Sequence, residues 1–165
     1  MHFKIIDNFL DQNNFDLIKS IMTSRKFPWY YASCANDGKD NLSQLTHSFY
    51  TNEYANPVTG DMSLIKPLLD KLNYKDLIRI KANLTYPSIN TKDFFHTDNN
   101  LEDTTTGIYY LDNFGGTKIK IGTEIKYVES QENRMLMFPS YTQHSVVRHS
   151  NNDKGRFVLN FNYKN

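Results

Sequence analysis

Phe15, Ile18, Ile21 and Met22 recur three and four residues apart, the period that places side chains on one face of an α-helix. Asp11 stands just ahead of this run, where its carboxylate can accept from the unpaired N–H groups of a first turn. Arg25 and Lys26 suit the negative end of the helix dipole, so the pattern predicts a helix over 11–25. A second apolar set, Leu64, Ile65, Leu68, Leu69 and Leu72, predicts a helix over 62–72. Pro67 lies inside it and marks either a kink or the true start, since proline has no N–H to give. Beyond Asp76 the character changes to short β-prone runs at 77–86, 92–96, 106–111, 117–121, 124–128, 134–138, 145–148 and 156–163. Turn formers such as Asn113-Phe114-Gly115-Gly116 separate them. The runs 27–32 and 44–50 predict two earlier strands. Many short strands at this spacing imply a sandwich or barrel. With helices first and strands after, the expected class is α+β, mostly β, in one domain over 1–165. Residues 1–76 would supply helices packed on one sheet, and 77–163 the β core.

Composition narrows the function classes. The 11 Tyr and 11 Phe suit pleated surfaces, on which flat rings pack well. A net charge of +1, with no basic run, counts against a nucleic-acid partner held by phosphate contacts. Cys34 is the single cysteine, so no disulfide can form within the chain, and a reducing compartment is expected. The N-terminus lacks a basic start followed by an apolar run, and no stretch approaches the ~20 apolar residues of a membrane helix. These features lead to the expectation of a cytoplasmic protein without a membrane partner.

The chemistry concentrates at His96-Thr97-Asp98. In an extended strand, residues two apart point to the same face, so His96 and Asp98 can reach one cation while Thr97 points away. His144, at the head of a later strand, can add a third ligand. Two histidines and one carboxylate on one face of an octahedral iron leave three positions open. Those positions accept a bidentate 2-oxo acid and dioxygen. Arg156 opens the last strand, and its guanidinium can clamp a distal carboxylate with two parallel hydrogen bonds. A lone His-x-Asp pair is common by chance; the ordered set His-x-Asp, His, Arg on successive strands is far more specific.

The segment 77–163 resembles the catalytic core of the iron(II)/2-oxoglutarate-dependent dioxygenases, in particular the prolyl hydroxylase branch. The strings that carry the resemblance are Tyr86-Pro87 ahead of His96, Thr106-Gly107-Ile108-Tyr109-Tyr110-Leu111-Asp112, Gly115-Gly116, Asn133-Arg134-Met135-Leu136-Met137-Phe138, His144 and Gly155-Arg156-Phe157-Val158-Leu159-Asn160. The resemblance implies a double-stranded β-helix, or jelly roll, with the metal in its mouth. It implies iron(II) held by His96, Asp98 and His144, with 2-oxoglutarate and O2 as cosubstrates. Arg156 would pair with the far carboxylate of 2-oxoglutarate, Tyr86 and Tyr110 would line its pocket, and Asn160 would sit near the cosubstrate. The interval from His144 to Arg156 is longer than is usual in the family, and the polar string 150–153 would absorb the excess as a loop. Arg148 shares a face with His144 and is the reserve candidate for the anchor. The implied reaction hydroxylates an unactivated C–H bond and releases succinate and CO2. A peptidyl proline is the substrate the branch suggests, with a small molecule or a nucleobase as alternatives.

Other readings stand beside this one. A non-catalytic jelly-roll module could keep the same motif, and a zinc hydrolase or isomerase could use the same ligands. A hydrolase has no need of a deep arginine clamp, so Arg156 separates the cases. Asn83 falls on the opposite strand face from Tyr86 and is expected to be structural; His47 and His149 are expected to face solvent, and Trp29 to belong to the core. Gly115-Gly116 is read as a strand turn, since no helix start follows it.

Overall fold

Asp11 caps the first helix: its side chain accepts from the Asn14 N–H at 3.1 Å, and α1 runs Gln12–Met22. The helix stops short of Arg25 because Thr23 turns back on it, with its N–H and its hydroxyl both donating to the Lys19 carbonyl at 2.9 and 2.8 Å. The second helix shrinks from the expected 62–72 to a single turn, α2, Lys66–Leu69, with Pro67 at its start. Proline tolerates only a first-turn position, where no N–H is required, so 62–65 becomes turn rather than helix. The computed structural model describes residues 3–33, 43–52, 61–88, 92–150 and 154–165. Cys34 and the expected loop residues 151–153 lie outside the described residues.

Among the described residues there are ten strands. They are β1 Lys4–Ile6, β2 Tyr30–Ala32, β3 Gln44–Thr51, β4 Asp76–Thr85, β5 Thr104–Tyr110, β6 Gly116–Ile121, β7 Glu124–Glu129, β8 Arg134–Pro139, β9 His144–Val147 and β10 Arg156–Lys164. They form a seven-stranded sheet in the order β1-β8-β5-β10-β4-β3-β2 and a three-stranded sheet in the order β7-β6-β9, with every pair antiparallel. The expected strand over 92–96 is absent. That stretch is irregular apart from one bridge, His96 to His144. Among the described residues, no helix is long and apolar enough to cross a membrane.

Alternation along the central strands sorts the side chains into two layers. One face of the large sheet, with Tyr109, Met135, Leu159 and Phe161, shares a buried cluster with Phe15, Ile18 and Met22 of α1. Phe15 meets the Tyr109 ring edge-on, with centroids 6.4 Å apart. The other face, with Ile108, Tyr110, Leu136, Phe138 and Val158, packs against Ile119 and Val128 of the small sheet. The two sheets therefore face each other, and the chemistry lies between them. Gly115 makes the tight link into β6: its φ is +67°, and a Cβ there would run into the Val147 carbonyl oxygen of β9.

His47 is a correction to the sequence reading. It is buried rather than solvent-facing, packs against Phe27 and Phe49, and its Nδ1 donates to the Pro28 carbonyl at 2.8 Å. An imidazole with one satisfied nitrogen fits an aromatic core. His149 is also partly buried and lies against the Phe114 ring at 5.0 Å. Trp29 packs with Phe27 and Phe157, as expected of a core residue, and its indole N–H donates to the Met22 carbonyl at 3.2 Å.

Candidate functional site

His96, Asp98 and His144 converge: one potential ligand atom from each lies within 4.8 Å of the others. The convergence comes from backbone pairing. His96 N–H donates to the His144 carbonyl at 3.0 Å, and His144 N–H returns a bond to the His96 carbonyl at 2.9 Å. Two residues on, Asp98 N–H donates to the Ser140 carbonyl at 3.1 Å, which ties the irregular stretch to the β8–β9 connection. His96 and Asp98 therefore share a face without belonging to a strand.

Backbone carbonyls set the histidine tautomers. His144 Nδ1 lies 3.0 Å from the Thr142 carbonyl oxygen, and His96 Nδ1 lies 3.4 Å from that of Phe94. A carbonyl only accepts, so each Nδ1 is the donor, which leaves each Nε2 as the nitrogen that could face a metal. Burial pushes the His96 ring towards the neutral form, the state that can coordinate a metal.

The Asp98 carboxylate is held from three sides. Arg79 donates to Oδ1 at 3.2 Å, and Thr106 and Asn162 donate to Oδ2 at 2.8 and 2.9 Å. Burial raises the Asp98 pKa, but the His144 and Arg79 charges and these hydrogen bonds outweigh it and bring it down to about 2. Two nitrogens and one ionised oxygen on one side of a point are a donor set for a divalent first-row metal with open positions. With its one proton given to Asp98, the Thr106 oxygen accepts from the Ser140 hydroxyl at 3.0 Å. Thr106→Val keeps the shape and removes the hydroxyl beside Asp98. It should weaken affinity for a divalent first-row metal by about 10- to 100-fold, read by titration against a competing chelator.

Arg156 lies in the cavity that both histidines line. Its side chain is buried: Nε donates to the Ser130 hydroxyl at 3.1 Å, Nη2 to the Thr117 hydroxyl at 3.4 Å, and the guanidinium sits 5.4 Å from the Tyr110 ring centroid. Among the described residues, no carboxylate lies within ion-pair distance of it. Burial disfavours the charged form, with Asp112 offsetting this at longer range. A guanidinium keeps its proton regardless. The cavity thus holds a buried cation that, among the described residues, has no anion in contact with it.

Arg148 is placed elsewhere. It does not line the cavity, and its guanidinium donates to the backbone carbonyls of Tyr86 and Ser43 at 3.4 and 3.3 Å. Tyr110 is fully buried beneath Arg156, and its hydroxyl donates to Thr117 at 2.8 Å. Tyr86 is not brought in: the residue is 47% exposed and outside the cavity lining. Asn160 does line the cavity, and its Oδ1 is buried without a hydrogen-bond partner. Asn83, read as structural in the sequence, lines the same wall with its own unpartnered Oδ1, as does Thr85 with its hydroxyl. The parity argument separating Asn83 from Tyr86 holds, but the inward choice is inverted. Pairing decides it, because Thr85 lies opposite Arg156 and Asn83 opposite Val158. Buried orphan polar atoms are costly, and three along one cavity wall fit a polar ligand there.

Arg79, Thr106 and Asn162 are the functional positions that the sequence reading missed. Asn162 continues the even-numbered face that starts at Arg156, and Thr106 shares a face with Tyr110, so alternation contained a signal for both. Arg79 is recognisable only through its pairing with Asn162.

No protein-family model matches the sequence, and no curated protein matches it significantly. Solved structures do match the fold. A prolyl hydroxylase from Trichoplax adhaerens, in complex with a peptide fragment of a hypoxia inducible factor oxygen degradation domain, superposes with a TM-score of 0.70 at 16% identity, covering 98% of this chain and 83% of that one. A Pseudomonas putida prolyl-4-hydroxylase gives 0.68 at 12% identity, covering 98% and 91%. A non-heme α-ketoglutarate-dependent epimerase from nogalamycin biosynthesis gives 0.69 at 10% identity, covering 99% and 77%. The chain therefore has the fold of these oxygenase structures along almost its whole length.

Proposed function

We propose that this protein is an iron(II)- and 2-oxoglutarate-dependent dioxygenase that hydroxylates an unactivated C–H bond. The observation that carries the reading is the pairing of two features: a convergent His96-Asp98-His144 set, whose two histidines line the cavity, and a buried Arg156 in the same cavity that has no carboxylate within ion-pair distance among the described residues. His96 and His144 would hold the metal through Nε2, with Nδ1 of each fixed by a carbonyl. Asp98 would supply the anionic ligand, kept ionised and oriented by Arg79, Thr106 and Asn162. Arg156 would take the far carboxylate of 2-oxoglutarate, with the Tyr110 ring and the Thr117 and Ser130 hydroxyls fixing the guanidinium. The orphaned amide oxygens of Asn83 and Asn160 lie along the same wall and support a polar occupant. When bound, iron(II), 2-oxoglutarate and O2 supply the oxidising power for hydroxylation, with succinate and CO2 as the other products. Ile108, Val146 and Val158 give the cavity an apolar part that keeps bulk water from the reacting centre.

The likeness to two prolyl hydroxylases supports a peptidyl proline as substrate. The likeness to an epimerase of nogalamycin biosynthesis supports a small molecule as the second reading. Fold alone fixes neither. The metal identity is tested by turnover. Protein loaded with iron(II) should consume O2 and 2-oxoglutarate and release succinate in matching amounts, and protein loaded with zinc(II) should release none. Hydrolytic activity with zinc, and no succinate with iron, would instead support a hydrolase built on the same ligands.

A further inference from the structure

His96 and Asp98 stand on chain that forms no strand, so their geometry depends on what ties the segment 93–98 to the rest of the fold. Asp93 accepts from Lys118 Nζ at 2.9 Å through Oδ1 and at 2.8 Å through Oδ2. The Phe94 N–H donates to the Ser145 hydroxyl at 3.0 Å. The His96–His144 bridge and the bond from the Asp98 N–H to the Ser140 carbonyl follow. The later ties use backbone alone. The first two depend on Lys118 and Ser145, side chains that are not themselves metal ligands.

Lys118 of β6 and Ser145 of β9 are cross-strand neighbours in the small sheet. Their sequence neighbours Thr117 and Val146 line the cavity, so alternation turns Lys118 and Ser145 to the opposite, outer face. The segment therefore begins on the outer face of the small sheet. It turns around the edge strand β9 to bring His96 to the side of His144. Ser145 is only 1% exposed, and the Lys118 and Asp93 side chains are 31% and 29% exposed. A partly buried pair of this kind is screened less by salt than a surface pair. Phe94 passes the fixation on to the metal site. Its N–H is held by Ser145, and its carbonyl oxygen lies 3.4 Å from His96 Nδ1. That carbonyl orients the imidazole, as the outer partners of ligating histidines do.

We propose that Lys118 and Ser145 are positioning residues for the metal. Through Asp93 and the Phe94 backbone they hold 93–98 in its ligating shape before an ion arrives. Neither supplies a ligand atom: Lys118 acts through Asp93, and Ser145 through Phe94 and then His96. A segment without these ties would lose backbone freedom when it closed on the ion, and that loss would weaken binding. A segment already fixed in shape avoids it. The ties should therefore act on metal affinity and retention more than on the stability of the sheets. This rests on the metal assignment above and adds to it the residues outside the cavity that set how tightly the ion is held.

The test uses iron(II) alone, without oxygen, and reads affinity and release against a competing chelator. Lys118→Met keeps the aliphatic stem and removes the charge, and Asp93→Asn breaks the same pair from the other side. Each should weaken iron(II) binding by about three- to tenfold, less than a direct partner of a ligand because the pair is partly exposed. The two changes together should cost no more than either alone, since they break one contact. Lys118→Arg should stay near wild type, because a guanidinium also reaches both carboxylate oxygens. Ser145→Ala should act separately and, combined with Lys118→Met, bring the loss to about tenfold or more. Amide hydrogen exchange in the metal-free protein should quicken across 93–98 in the weakened variants and stay unchanged in β5 and β10. Unchanged iron(II) affinity in Lys118→Met and Asp93→Asn overturns the proposal, as does exchange across 93–98 that matches wild type. Faster exchange throughout the domain also overturns it, by making the pair a general support of the fold. Wild-type protein that binds no iron(II) would contradict the metal assignment itself, a result distinct from all of these.

Discussion

Replacing His144 by alanine should lower iron(II) affinity by more than about 100-fold while the folded domain persists. Changes to the partners of metal ligands already cost about 10- to 100-fold, and this change removes a ligand itself. His144 is the most deeply placed of the two histidines, on β9, with its ring 4.3 Å from that of His96 and its Nε2 4.0 Å from Asp98 Oδ2. Its backbone bonds to His96 do not depend on the side chain, so the bridge that positions His96 and Asp98 survives. The deletion leaves a cavity beside Phe138, whose ring lies 4.9 Å from the imidazole, so some loss of stability accompanies it. Anaerobic iron(II) titration with a competing chelator, beside circular dichroism, separates the two effects. Affinity within threefold of wild type in a folded variant would remove His144 from the metal site.

The second large effect falls on the cosubstrate. Arg156→Ala should raise the dissociation constant for 2-oxoglutarate by about 100-fold, the usual scale for losing one partner of a buried charge pair. Among the described residues Arg156 has only hydroxyl and ring partners in contact, so the ligand-free protein gains little from keeping this buried cation. The effect should therefore appear as lost stabilisation by ligand. Wild type should melt at a higher temperature as 2-oxoglutarate is added, and the variant should not respond at the same concentrations. Arg156→Lys keeps the charge but loses the planar fork, and should fall between the two. Arg148→Ala should bind 2-oxoglutarate like wild type, because Arg148 is spent on the carbonyls of Tyr86 and Ser43. A variant of Arg148 that loses affinity while Arg156→Ala keeps it would reverse the assignment.

The parts of this site that were legible in the sequence are those that depend on short-range geometry. Residues two apart in extended chain share a face, so His96 and Asp98 could be paired even though the strand expected there is only a bridge. Asp11 was readable as a cap because capping needs only its own first turn. Pro67 gave the correct alternative, a helix start, while the apolar run around it overstated the helix length. Less legible were features set by strand register. Asn83 and Tyr86 were correctly placed on opposite faces, but which face turns inward depends on the pairing of Thr85 with Arg156. Tyr86 falls just beyond β4 and is 47% exposed. His47 looked like a lone polar residue because its partner, the Pro28 carbonyl, comes from a different part of the chain. The Asp98 supports Arg79, Thr106 and Asn162 come from three strands, β4, β5 and β10, and their convergence is a property of the sheet.

The most direct test of the account is optical. Iron(II) and 2-oxoglutarate added together to the protein without oxygen should produce a visible metal-to-ligand charge-transfer band. The band should vanish in His144→Ala and require far more 2-oxoglutarate in Arg156→Ala. Absence of the band in wild-type protein, or its full persistence in His144→Ala, would contradict the assignment of this cavity as an iron and 2-oxoglutarate site.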